Sequence, residues 1–189
     1  GKHFQLDLDT PKLLHHYSDL GEFFLSSDQI GNTYSNVGKM SHIVEQIPED
    51  EMEYFSNIRA TIAGHAIFPA KRIDNKMTIN GARGVNHKIQ DRFDLTLECI
   101  RRFYQKEDSP LNEVFTRYVD FFNLFQDFKG YVEYFHYQDL VEKDFSKIRY
   151  WHDFNSPPLP ANKEEYLSYK EKVIDFLHGR NQRILNSIN

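Results

Sequence analysis

The side chains best suited to chemistry are concentrated in residues 78–104, where two glycines precede a pattern typical of a helix. Gly81 and Gly84 permit backbone angles that other residues avoid and allow a ligand to approach closely. The start of the following helix offers free N–H groups and the positive end of its dipole. With Asn80 and Arg83 beside them, these groups predict a turn that binds an anion.

The predicted site combines arginines that could bind an anion with carboxylates that could act on it. Arginine suits bidentate contact with phosphate or carboxylate groups, and a carboxylate can serve as a general base. Asp91 and Glu98 are the candidate catalytic residues. The candidate ligand-binding residues are Asn80, Arg83, Gly84, Arg92, Arg101, Arg102, Gln138, Asp139, Arg180 and Asn181. The predicted ligand is a phosphate-bearing or other anionic small molecule.

The same charges also have a structural interpretation. Residues three and four apart are neighbours on a helix, so Glu98 can pair with Arg101 and Arg102. A helix with interleaved charges usually forms a solvated or salt-bridged face, and the glycine pair lacks the full dinucleotide or P-loop pattern. The sequence leaves open whether the charges face a ligand or each other.

Arg92 differs from the other arginines because it projects with Thr96 and Cys99, on a face more apolar than a solvent-facing one. We therefore expect it to reach either a ligand in a cleft or a carboxylate, Asp139 or Asp28. A buried structural ion pair and a functional contact both fit this position.

Two further groups of residues have a chemical interpretation. Ser26, Ser27 and Asp28 follow a predicted strand and could supply a nucleophile, but a turn at the end of the strand explains them better. The nine histidines have no spacing typical of zinc sites, because His15 and His16 are adjacent and the others are isolated. We predict no metal site, and no cofactor follows from the sequence.

Composition limits the class of protein. The 189 residues suit a single domain over residues 1–189, with 40% hydrophobic and 27% charged residues. A net charge of −5 makes nucleic acid an unfavourable partner, and no apolar run approaches the length of a membrane span. Cys99 is the single cysteine, which excludes a disulfide framework and indicates a reducing compartment. We expect a cytoplasmic protein, with self-association as a homo-oligomer left open.

The order of predicted elements favours an α+β fold. Short strands are predicted at residues 4–9, 22–25, 66–69 and 148–151. Helices are predicted at residues 39–47, 49–58, 88–104 and 131–141, after the Ser109 and Pro110 cap, and from Asn162 with a capping box to Glu165. These elements predict a small, mostly antiparallel sheet packed against four or five helices, with the helices concentrated in the C-terminal half.

Aromatic residues mark a segment that must be buried. Between residues 115 and 137, ten of 23 positions are Phe or Tyr, too many for a solvated element. We expect this segment in the core or in an interface.

Several phrases of the sequence are specific enough to compare with a family. They are TINGARG at residues 78–84, DRFDLTLECIRRFY at 91–104, SPL at 109–111, the aromatic pattern at 121–128, QDLV at 138–141, FFLSSD at 23–28 and RNQRI at 180–184. In these phrases the chain resembles an uncharacterised bacterial family, a domain of unknown function. The resemblance implies that these segments form one unit, and it carries no activity over to this chain.

Two classes of function remain. In the first, the protein binds, or acts on, an anionic small molecule in a cleft lined by arginines and carboxylates. In the second, it is a noncatalytic interaction module in which the same charges are internal ion pairs. The two differ in whether the polar groups converge on an open pocket or pair with each other.

Overall fold

The N-terminal part of the chain forms an antiparallel sheet. The computed structural model describes residues 3–6, 13–18, 21–31, 38–149 and 153–188. Four strands pair in chain order: β1 (His3–Leu6), β2 (Leu13–Ser18), β3 (Gly21–Gln29) and β4 (His65–Pro69). In the register of β3 and β4, Ser27 lies opposite Ile67 and Gln29 lies opposite His65. Successive side chains of a strand point to opposite faces, so Ser27, Ile67 and His65 share one face of the sheet.

β3 is longer than the predicted strand. It includes Ser26, Ser27 and Asp28, so the prediction of a turn at these residues is wrong. Pairing with β2 on one side and β4 on the other keeps this segment extended. Ser26 and Asp28 accept hydrogen bonds from Asn80 and Arg83, which compensates their polar groups for partial burial.

The other strand predictions have mixed outcomes. β4 matches the strand predicted at residues 66–69, and β1 overlaps the one predicted at 4–9, although residues 7–9 lie outside the described residues. Ile148 forms an isolated antiparallel bridge with Val141, separate from the four-stranded sheet. The remainder of that predicted strand, residues 150–151, is also outside the described residues.

Eight α-helices have their bounds within the described residues. They are α1 (Ser41–Val44), α2 (Glu49–Arg59), α3 (Ile79–Val85), α4 (Phe93–Tyr104), α5 (Asn112–Arg117), α6 (Val119–Asn123), α7 (Phe128–Phe135) and α8 (Lys163–Ile188). Two 3-10 turns, Ile62–Gly64 and Gln138–Leu140, complete the described helical elements. The α+β class with helices concentrated C-terminally is confirmed. There are more helices than the four or five predicted, partly because the helix expected after Pro110 is divided at Tyr118 into α5 and α6.

The glycine-bracketed segment is helical, so the predicted turn there is wrong. Gly81 and Gly84 both lie in α3, whose first turn is capped by the Thr78 hydroxyl accepting from the Gly81 N–H at 3.3 Å. The next helix, α4, begins at Phe93 instead of residue 88. The chain between α3 and α4 includes Asp91 with a φ of 63°, in the left-handed region, which cannot continue a helix.

The aromatic segment lies in the core, which was one of the two expected locations. Phe115, Phe122 and Tyr131 are fully buried. The rings of Phe115 and Phe122 meet edge to face with centroids 5.1 Å apart, and those of Phe122 and Tyr131 are 6.0 Å apart. The edge-to-face geometry of Phe115 and Phe122 is one of the favoured arrangements of aromatic rings in a core.

The last helix starts as predicted and ties the two halves of the chain together. Asn162 accepts a hydrogen bond from the Glu165 N–H at 2.9 Å, and the Glu165 carboxylate reaches back to the Ala161 N–H at 2.9 Å. This arrangement satisfies donors that the first turn would leave unpaired. α8 then packs against α2 and against the Ile62–Gly64 turn beside the sheet.

Candidate functional site

Arg83, predicted to bind a ligand, is fully buried in a network of protein groups. Its Nη1 donates to Asp28 at 2.6 Å and lies 3.7 Å from a carboxylate oxygen of Asp91. Its Nη2 donates to the Asp91 carbonyl at 2.7 Å, and its Nε donates to the Thr96 hydroxyl at 3.2 Å. Burial raises the pKa of Asp28, although the charge of Arg83 opposes that rise. A side chain at Gly84 would crowd the Asp91 carboxylate, so this glycine makes room for the network.

Arg92 forms a different ion pair from the ones predicted. Its Nε and Nη2 donate to the two carboxylate oxygens of Asp94 at 3.0 and 2.9 Å, so neither Asp139 nor Asp28 is its partner. Arg92 immediately precedes α4 and has extended backbone angles, and Asp94 lies in the first turn of that helix. Nη1 donates to the Pro158 carbonyl, and the guanidinium lies over the ring of Tyr169 at 4.7 Å. Arg92 also lines a pocket of about 410 Å³ beside the start of α8.

Glu98, a candidate catalytic residue, is held by two arginines. Arg101 contacts both of its carboxylate oxygens, at 2.7 and 2.9 Å, and Arg102 contacts one at 2.8 Å. The Glu98 side chain is only 3% exposed. The pairing predicted from helix spacing is confirmed, and it places the carboxylate in a salt-bridged cluster.

The remaining predicted residues lie in separate places. Asp139 forms a bidentate pair with Arg183, at 2.7 and 3.0 Å. Asn181 donates to the Thr61 hydroxyl. Asn80 donates to Ser26, and its buried side-chain oxygen has no hydrogen-bond partner among the residues that the structure describes. The same holds for the side-chain oxygen of Gln138 in the described part of the chain.

Arg180 is buried but lacks a carboxylate partner among the described residues. Its Nε donates to the Phe135 carbonyl at 3.0 Å, and its Nη1 donates to the carbonyls of Ala63 at 2.6 Å and His65 at 2.8 Å. The guanidinium also lies 4.5 Å from the centroid of the Tyr137 ring. The three hydrogen bonds use neutral acceptors, so the positive charge is solvated by dipoles and not cancelled by an anion.

Arg180 lines the largest of the described pockets, which we name the β4–α8 pocket. The pocket has a volume of about 820 Å³. Its wall combines apolar side chains with a few polar ones: Ser27, Ile62, His65, Ile67, Tyr134, Phe135, His136, Arg180, Ile184 and Ser187. β3 and β4 supply one side, the end of α7 a second, and the C-terminal part of α8 a third. Both the volume and the mixed lining are typical of small-molecule sites, which measure about 300–1,000 Å³.

Two histidines place ionisable groups in this pocket. His65 Nδ1 lies 3.0 Å from the Thr61 carbonyl, and because a carbonyl only accepts, Nδ1 carries the proton. In neutral His65 the other ring nitrogen, Nε2, is therefore an acceptor. His136 ends α7 in the left-handed conformation, with a φ of 59°. Burial lowers the pKa of His136, and the charges of Arg180 and Arg183 lower it further.

Sequence reasoning identified only Arg180 of this pocket as a ligand-binding residue. Ser27 belongs to the group of possible nucleophiles in the sequence, and no spacing links His65 with His136. Residues 27, 65, 136 and 180 are brought together by the pairing of β3 with β4 and by α8 packing beside them. Along β4, the half-buried His65 and Ile67 alternate with the buried Ala66 and Phe68. This alternation is the one local signal that the strand has a second face with a possible function.

Metal-binding clusters and membrane-spanning helices are both absent from the described residues. No group of three or more His, Cys, Asp or Glu side chains there is arranged to hold a metal ion. No helix in that part of the chain combines the length and apolar character needed to cross a bilayer.

The chain also matches a known family. The family model for DUF6994, a family of unknown function, covers residues 1–184. The chain belongs to this family. Membership confirms the resemblance to an uncharacterised domain of unknown function, and the matched region contains most of the lining of the β4–α8 pocket. No curated protein and no solved structure gives a significant match, so the chemistry of the site must be argued from its own geometry.

Proposed function

We propose that this DUF6994 protein binds a small molecule with an apolar body in the β4–α8 pocket. The observation that carries the proposal is the pocket itself: a volume of about 820 Å³, an apolar wall and several polar groups that converge on it. Pockets of this composition bury most of a ligand's surface, and their few polar groups fix its orientation. The proposal is for binding, and it assigns no reaction.

The β4–α8 pocket is a better candidate than the charged cluster on α3 and α4. The cluster was the predicted site for an anionic ligand, but Arg83, Arg92 and Arg101 each bond to a carboxylate already. A ligand anion would have to displace those carboxylates, which are buried and would lose their compensation. In our proposal Asp91 and Glu98 therefore hold arginines in place and have no catalytic role.

Filling the pocket tests this proposal. Ser27 is exposed at the pocket wall and belongs to a strand, where a large aromatic residue is well tolerated. Ser27→Trp should occupy the pocket without disturbing the core. Nile red, a neutral dye whose emission shifts in apolar surroundings, reports the binding of an apolar molecule without any charge contribution.

We expect saturable binding of Nile red to the wild type and a loss of at least about tenfold in affinity for Ser27→Trp, the size of a good apolar contact. The matched control is Ser168→Trp, at another exposed serine, which lines the separate pocket beside Arg92. It should bind the dye as the wild type does. Equal affinity in both variants, with melting temperatures close to the wild type, would remove the pocket as the binding site.

A second candidate is the noncatalytic interaction module, and one surface favours it. Ile62, Leu185 and Ile188 are 71%, 57% and 76% exposed, and they lie in or next to segments that line the pocket. Exposed apolar side chains that lie close together are typical of contact surfaces. Sedimentation equilibrium of the wild type and of Ile188→Glu tests this candidate: a dimer that dissociates in the variant supports it, and a monomer at all concentrations contradicts it.

A further inference from the structure

We infer that the ligand of the β4–α8 pocket is an apolar carboxylate and that it binds together with a proton taken up by His136. This inference rests on the proposed function, and it adds the charge of the ligand and the residues that recognise it. It rests on three features of the pocket: the unused N–H donors of Arg180, the charged groups around His136, and the apolar wall.

The first feature is the pair of unused donors on Arg180. A guanidinium has five N–H donors, and the bonds to Phe135, Ala63 and His65 use the one on Nε and the two on Nη1. The two on Nη2 have no acceptor among the described residues. Arg180 is only 4% exposed and lines the pocket, so any ligand group that reaches it meets a positive charge away from bulk water. A carboxylate supplies an acceptor and the missing negative charge.

The second feature is the positive surroundings of His136. Arg180 lines the same pocket, and the charges of Arg180 and Arg183 of α8 disfavour protonation of His136. Asp139, on the neighbouring 3-10 turn, is bonded through both oxygens to Arg183 and so has limited capacity to compensate a second cation. His65 of β4 and Tyr134 of α7 line the same pocket and add no negative charge at neutral pH.

A ligand anion reverses the electrostatics at His136. An opposite charge nearby favours the protonated imidazole, so the pKa of His136 rises when the anion binds. Between the lowered pKa of the free protein and the higher one of the complex, binding takes up a proton. The affinity for the anion therefore increases as the pH falls through this interval, by at most about tenfold per pH unit for one proton. The ligand carboxylate stays ionised throughout, because the ordinary pKa of such a group is about 4.3.

The third feature selects a carboxylate with a hydrocarbon body. Ile62, Ile67 and Ile184 line the pocket, and burial of a chain of CH₂ groups against them favours binding. A carboxylate carries the single negative charge that matches Arg180, and one of its oxygens can accept from Nη2. A phosphate monoester carries more charge and more oxygens than one guanidinium can satisfy.

The test compares decanoate with 1-decanol, which has the same chain and no charge. Isothermal titration at pH 6 and pH 8 gives both affinities, and repeating it in two buffers of different ionisation enthalpy gives the number of protons taken up. We expect decanoate to bind about tenfold more tightly at pH 6 than at pH 8, with proton uptake, and the affinity for decanol to be independent of pH.

Two variants separate the histidines. His136→Asn suits the left-handed backbone of that position and removes its ionisation. It should keep decanoate binding at pH 8 and lose the pH dependence. His65→Asn, which can still donate to the Thr61 carbonyl, should keep the pH dependence.

The outcomes separate this inference from the proposed function. Equal affinities for decanoate and decanol at both pH values would overturn the inference while leaving the pocket as a binding site for apolar molecules. A pH dependence that persists in His136→Asn would overturn the assignment of the proton to His136. Failure of both compounds to bind at either pH would refute the proposed function, and the inference with it.

Discussion

Replacing Arg83 with methionine should lower the stability of the protein by several kcal/mol. Methionine keeps much of the side-chain length but cannot donate to Asp28, to Thr96 or to the carbonyl of Asp91. Removing one partner of a buried ion pair costs about 3–5 kcal/mol, because the other partner is left charged and uncompensated. At about 2–4 °C per kcal/mol for a chain of this size, the melting temperature should fall by about 6–20 °C.

A matched variant in the same cluster shows whether burial of the pair decides the cost. Arg101→Met is the same chemical change, but Glu98 keeps its bond to Arg102 at 2.8 Å. We expect a smaller loss of about 1.5–3 kcal/mol, the range for hydrogen bonds to a charged group, because Glu98 stays paired. Urea unfolding followed by circular dichroism measures both free energies of unfolding, and equal m-values would show that the unfolding transition has not changed.

The pH dependence of Arg83→Met checks the cause. The pKa of Asp28 is already above its usual 3.8, and loss of the Arg83 charge raises it further in the folded state. An acid with a raised pKa in the folded state binds more protons there than in the unfolded state, so stability increases as the pH falls. The deficit of Arg83→Met relative to the wild type should therefore be smaller at pH 5 than at pH 8. A variant within about 1 kcal/mol of the wild type, or one no less stable than Arg101→Met, would refute the reasoning.

Two further predictions concern packing. Gly64→Ala should be destabilised by more than about 2 kcal/mol, because a Cβ there would overlap the Arg59 carbonyl. Gly38→Ala, whose Cβ would meet open space, should change the free energy of unfolding by less than about 1 kcal/mol. Thermal unfolding compares the two variants, and equal stabilities would contradict the packing argument. Burial raises the pKa of the Cys99 thiol to about 12, so a thiol reagent at pH 8 should label it only when the protein opens; labelling of the native protein as fast as in urea would contradict its burial.

Local signals in the sequence were sufficient to predict the helices that bury one continuous stripe of apolar side chains. The spacing of Phe93, Leu97 and Ile100 indicated α4, and Asn162 with Glu165 fixed the start of α8. Each of these signals lies within one or two turns of a helix, so no tertiary contact is needed to interpret it.

The errors occurred where a distant contact overrides the local preference. Gly81 and Gly84 suggested a turn because glycine is a poor helix former, yet α3 is stabilised by its Thr78 cap and by the bonds of Arg83 to β3 and to the backbone of Asp91. Similarly, Asp28 looked like a turn residue until its partner 55 positions away was known. Tertiary contacts of this kind leave no spacing in the sequence.

The candidate site could be predicted only in part for the same reason. The arginines were identified as anion-binding groups, but their partners were not, so paired arginines could not be told apart from Arg180. The pocket requires Ser27 and His65 on adjacent strands together with His136 and Arg180 from later elements. Only the three-dimensional arrangement distinguishes these residues from other isolated polar side chains.

The three carbonyls that Arg180 binds also have a consequence for synthesis of the chain. Arg180 follows Phe135 by 45 residues and Ala63 by 117 residues. At about 5–20 residues per second, the carbonyl of Phe135 waits about 2–9 s for its donor, and that of Ala63 about 6–23 s. During this time the backbone carbonyls beside β4 and at the end of α7 lack the guanidinium of Arg180, and water must donate their hydrogen bonds. The β4–α8 pocket therefore cannot be complete until α8 has been synthesised, several seconds after the strand and helix that form its other sides.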